Sequence, residues 1–130
     1  MDVQAVICSQ YYAAMGMLQQ AVERCPDELW DSAVDANPFW RVSYHAVFFT
    51  HLYLHKSLGG FKAWDRHWGD AESLDSPILG PRYTRADVLE FLELCRGQVV
   101  AQTTDLDWEG LFFSAAHGYI VVESTGSLQR

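Results

Sequence analysis

The chain has 130 residues, 49% of them hydrophobic and 20% charged, with a formal net charge of −8. That size and balance suit one domain, spanning 1–130, with a real core, and exclude a disordered chain. With two lysines and seven scattered arginines there is no basic stripe, which argues against nucleic acid or an anionic membrane as a partner.

The N-terminal stretch MDVQAVICSQYYAAMG lacks the basic start and apolar run of a signal peptide, and no apolar run is long enough to span a bilayer. Cys8, Cys25 and Cys95 are an odd number with no close pair. Together these features lead us to expect a reduced, cytoplasmic protein whose thiols pack as small apolar groups.

Val3, Ile7, Tyr11, Met15, Leu18 and Val22 recur at helical spacing, which predicts a first helix from about Val3 to Arg24, stopped by Pro26. The segment PDELWDSAVDANP is then a connection whose Leu29 and Trp30 plug the bundle end. Asn37 and Pro38 suit the cap and first position of a second helix, which should run to about Ser57 before Gly59 and Gly60 end it. This helix is apolar almost all round, with Ser43 and Thr50 as a thin polar strip, and so belongs in the middle of a bundle.

A long aromatic connection follows, in which Trp64 and Trp68 should fold back onto the body; connections longer than about 12–15 residues often act as lids or binding loops. Thr84 and Asp87 form a variant capping box that opens a third helix, with Val88, Leu92, Cys95 and Val99 facing inward and Glu90, Glu93 and Arg96 outward. From Thr104 the character changes. A short helix around Glu109 to His117 fits the apolar residues there, and the β-branched YIVVEST does not read as a full bundle helix.

Histidines carry the chemical interest, three of them within YHAVFFTHLYLH. On a helical wheel of about 100° per residue, His45 shares a sector with Arg41, Phe48, Phe49, Leu52 and Lys56. His51 and His55 fall in another sector with Trp40 and Tyr44, so one metal ion cannot readily use all three. The four-residue spacing of His51 and His55 suits a two-point metal clip. However, Leu52 stands where a zincin helix has its Glu, so the general base is missing. The alternative is two partly exposed imidazoles near a helix C-terminus, where cations suit the dipole. His45, placed among phenylalanines, needs a partner for each ring nitrogen, whether protein, water or metal. His67 lies between Asp65 and Asp70 in a polar turn. No Gly-x-Ser-x-Gly elbow, Cys-x-x-Cys or P-loop is present, and no catalytic residue stands out.

The segments LWDSAVDANPFWRVSYHAVFFTHLYL and YTRADVLEFLELCRGQV, with the aromatic connection between them, resemble the DinB-like (DinB/YfiT) superfamily over about residues 3–103. The resemblance implies an all-α, up-and-down four-helix bundle, often dimeric. It also implies a divalent metal, zinc or nickel, held by one histidine on the second helix and a His-x-x-x-His pair on the fourth. The implied activities are metal-dependent hydrolysis and thiol transfer. His45 maps onto the second-helix ligand, whereas His51 and His55 match no ligand position. The expected pair has no counterpart in the tail, which offers His117 alone, so the final helix is expected to be short or irregular. A reading-frame change or truncation near residue 110, loss of the site, or completion by a homodimer partner would each account for this. Two function classes follow: a DinB-like metal-dependent hydrolase or thiol transferase with an incomplete site, or a metal-free helical interaction protein.

Overall fold

The computed structural model describes residues 2–32, 34, 36–55 and 58–103. Their regular structure is helical: α1 over Val3–Arg24, α2 over Asp27–Trp30, α3 over Phe39–Tyr53 and α4 over Arg85–Thr103, with a 3-10 turn at Leu58–Gly60. The expected all-α bundle is what these residues form. The tail expectations, including the short helix near Glu109 and the position of His117, lie outside the described residues.

Local signals set the helix starts. Asp2 caps α1, its Oδ1 accepting the Ala5 amide at 3.0 Å. At α4 the capping box is reciprocal: the Asp87 amide donates to Thr84 Oγ1 at 3.1 Å and the Thr84 amide donates to Asp87 Oδ2 at 2.8 Å. The Asn37 cap is not formed. Pro38 occupies the cap position of α3, and Asn37 Nδ2 instead donates to the Leu74 carbonyl at 2.9 Å, a long-range tie that takes its side chain away from the helix. α3 also ends earlier than its glycines suggest, at Tyr53, with Leu54 as C-cap.

α1 and α4 run side by side in opposite directions. Arg85, at the start of α4, reaches the Val22 carbonyl and the Asp27 carboxylate, while Arg96 donates to Gln19 Oε1 at 2.8 Å. α3 and α4 set out from the same end, since Trp40 meets Tyr83, Tyr44 meets Phe91, and Cys95 Sγ approaches the Val47 carbonyl. The long connection between them returns the chain over the bundle, and its aromatic side chains do much of the packing. Trp64 stacks on Phe91 with centroids 4.6 Å apart, and Trp68 donates its indole N–H to the Pro81 carbonyl at 2.8 Å. Both indoles therefore fold back as expected. Full burial of a large apolar side chain is worth about 1.5–3 kcal/mol, and these half-buried indoles contribute a part of that. Gly80 is required by this packing, because a Cβ there would sit 2.5 Å from the Trp68 ring.

The core is formed by Met15 and Val22 of α1, Trp40, Tyr44 and Val47 of α3, and Val88, Phe91, Leu92, Cys95 and Val99 of α4. The inner face read from the α4 pattern is correct, with Phe91 added to it. Trp30 plugs the bundle end by donating its indole N–H to the Tyr83 carbonyl at 3.0 Å, but Leu29 is turned outward and exposed. Four residues make one turn of helix, and one turn can direct only one of two adjacent side chains inward.

Candidate functional site

The five sequence-level histidine readings resolve into two clusters and one position outside the described residues, His117. The first cluster lies where α3 meets the 61–84 connection. His45 Nδ1–H donates to the Glu72 carbonyl at 2.7 Å, so in the neutral ring Nε2 holds the lone pair. The ring is half-buried and packs on Phe49 at 4.7 Å. The preceding residue, Tyr44, is fully buried and donates its hydroxyl to His67 Nδ1 at 2.6 Å. Burial drives the Tyr44 pKa far above that of an ordinary phenol, so it remains a donor. His67 Nε2–H bonds the Gly69 carbonyl at 3.0 Å, with Glu72 Oε2 3.5 Å away. Both His67 nitrogens are engaged within the chain; the phenol stacks on Tyr83 with centroids 4.3 Å apart, and the His67 ring meets its hydroxyl edge nearly coplanar with it. No substrate can reach that hydroxyl, so the Tyr44–His67–Glu72 row is a structural tie and not a relay. Asp65, His67 and Asp70, neighbours in sequence, are not grouped to hold an ion.

The second cluster is at the C-terminal half of α3. His51 is 2% exposed, boxed by His55, Phe61 and Phe91 at centroid distances of 4.7, 5.5 and 5.3 Å. This corrects the picture of two partly exposed imidazoles for His51, whereas His55 is half-buried as expected. The sector of the wheel holding Trp40, Tyr44 and His51 is the core face, and His45 lies off it. Burial, with a smaller contribution from neighbouring His55, lowers the His51 pKa to about 4, so the ring is neutral at ordinary pH. His55 Nδ1–H donates to the His51 carbonyl at 2.7 Å, and the Lys62 amide points at His55 Nε2 from 3.4 Å.

Beside these rings lies a cleft of about 590 Å³, whose walls include His51, His55, Trp64, Arg66, Leu94 and Gln98. Two buried polar atoms in those walls, His51 Nδ1 and Gln98 Oε1, have no hydrogen-bond partner among the described residues. Each such orphan costs about 1–3 kcal/mol. Gln98 was not singled out from sequence, although Phe91, Cys95 and Gln98 share one helical stripe and a polar residue at that register is the available signal. Arg41, on the His45 sector of the wheel, carries no local signal of its role. It is buried, and its guanidinium donates to the Asp70, Ala71 and Ser76 carbonyls at 2.9, 3.3 and 2.5 Å.

The described residues do not complete a metal centre. No three His, Cys, Asp or Glu side chains among them are grouped to hold an ion, either at His45 or at the His51–His55 pair. Cys25 and Cys95 are free thiols. Burial pushes Cys95 up to about 12 and also raises Cys25, which suits packing groups rather than nucleophiles. No helix among the described residues is long and apolar enough to cross a membrane. No family model matches the chain, and neither does any curated protein or solved structure.

Proposed function

We propose that this chain is a DinB-like helical protein of the reduced cytoplasm in which His45 keeps the position of a divalent-metal ligand. The supporting observation is the 2.7 Å bond from His45 Nδ1–H to the Glu72 carbonyl. A ligating histidine usually donates its other ring N–H to a carbonyl or carboxylate, which sets the tautomer and leaves Nε2 for the ion. Zinc or nickel would need further donors from outside the described residues, His117 or a second copy of the chain being the sources. Hydrolysis and thiol transfer, the activities of the resemblance, have no step that the described residues supply.

The competing reading is a metal-free interaction protein in which the same bond serves only to tie α3 to the connection. Elemental analysis of the full chain, purified without chelator or affinity tag, separates the two. The expected result is stoichiometric zinc or nickel that is lost in His45→Ala and retained in His51→Ala, with helical circular dichroism preserved in both. Folded, metal-free protein would remove the metal reading. The reverse ranking of the two variants would show that the local four-residue spacing was the better guide.

A further inference from the structure

We infer that the cleft between the C-terminal half of α3, the 61–66 segment and α4 binds an uncharged, planar, amide-like small molecule through Gln98 and His51. This site is separate from the proposed metal position, since His45 does not line it. Three observations carry the inference.

The first is size: about 590 Å³ lies within the ordinary range for small-molecule sites. The second is the pair of unpartnered polar atoms in its walls, His51 Nδ1 and Gln98 Oε1. Gln98 Oε1 can only accept, so the ligand must present an N–H or O–H to it. His51 Nδ1 takes either role according to tautomer, which an adjacent carbonyl or N–H of the same ligand can meet. Both atoms are shielded from water, so a ligand reaches them only with a turn of the broad terminal torsion of Gln98 and a flip of the His51 ring, both of which side-chain amides and imidazoles allow.

The third observation is charge. Lys62 and Arg66 are matched by Asp65 and Glu90 around the cleft, and Arg66 is already bonded to Glu90 at 2.8 Å and to Asp87 at 2.5 Å. The rim therefore favours neither sign. The inner end, where His51 sits between Phe61 and Phe91, penalises any charge brought against it. Trp64 and Leu94 supply the apolar wall.

Benzamide, benzoate and benzamidine share one shape and differ in charge, so they test the inference directly. Titrated into the isotope-labelled full chain at pH 7.5, benzamide should shift the Trp64 indole and Gln98 side-chain amide signals saturably, with millimolar affinity. Benzoate and benzamidine should bind about tenfold more weakly or worse. Gln98→Leu should weaken benzamide about tenfold. Leu94→Trp, at a partly exposed position whose change leaves the core untouched, should obstruct the cleft to the same degree. His45→Ala should leave benzamide binding unchanged, so failure of the metal reading does not affect this one. Absence of a saturable shift, equal binding of the charged analogues, or a folded Leu94→Trp chain that still binds would overturn the inference.

Discussion

Arg41 carries a permanent charge at 2% exposure, and three backbone carbonyls of the connection satisfy it. The planar fork of the guanidinium reaches all three at once, which the single ammonium of lysine cannot do. Arg41→Ala is therefore expected to destabilise the fold by about 3 kcal/mol, measured by chemical denaturation, because it strands buried carbonyls. Arg41→Lys should recover less than half of that. A full rescue by lysine would show that charge and not geometry holds the connection. From sequence, Arg41 is one polar residue on a nearly apolar helix. Its role becomes visible only when residues 29, 30 and 35 positions further along the chain close around it.

At the scale of elements, the start of α4 joins two functions at one carboxylate. Asp87 closes the capping box with Thr84 and also accepts Arg66 from the connection at 2.5 Å. Burial works to raise its pKa, but the Thr84 hydrogen bonds and the Arg66 guanidinium outweigh this and hold the carboxyl below its usual value. Asp87→Ala should cost about 1–2 kcal/mol, most of it from the cap, since an exposed ion pair adds little. Asp87→Asn should retain part of the cap and lose the Arg66 pair. Comparing the two by thermal denaturation separates the contributions, and equal losses would mean that the ion pair dominates. The cap was legible in sequence because both partners lie within three residues of each other. The Asn37 cap does not form because its side chain bonds a carbonyl 37 residues away, which no local rule anticipates.

For the whole molecule, the buried His51 links stability to acidity. Its folded pKa of about 4 lies below the ordinary 6.5, so the unfolded chain binds the proton first as pH falls. Stability is thus intact above about pH 6.5, declines between 6.5 and 4, and the loss is complete below 4, amounting to about 3 kcal/mol. His55 on its own helix is the titratable group against the ring, and Lys62, Asp65 and Arg66 on the connection and Glu90 on α4 line the adjoining cleft. Asp87, also held below its usual range, adds a further loss at lower pH. His51→Phe removes the titrating ring and its orphan nitrogen while keeping an aromatic group in the box. Urea midpoints measured from pH 7 to 4.5 should therefore flatten in this variant. An unchanged slope would place the acid sensitivity elsewhere.

Local chemistry decided much of the chain before any folding is considered. The α1 span, the α4 cap and its inward stripe of Val88, Leu92, Cys95 and Val99 follow from spacing and from partners only a turn away. Which histidine is buried was decided by tertiary structure alone. Periodicity separates His45 from His51 and His55 by angle, but it cannot say which sector meets the other helices. Packing of Phe91, Phe61 and Trp64 against α3 made the His51 side the core, and with Gln98 it walled a cleft there. The physical reason is range: a helix is specified by contacts three and four residues apart, whereas burial, pKa and a binding wall depend on side chains brought together across tens of residues.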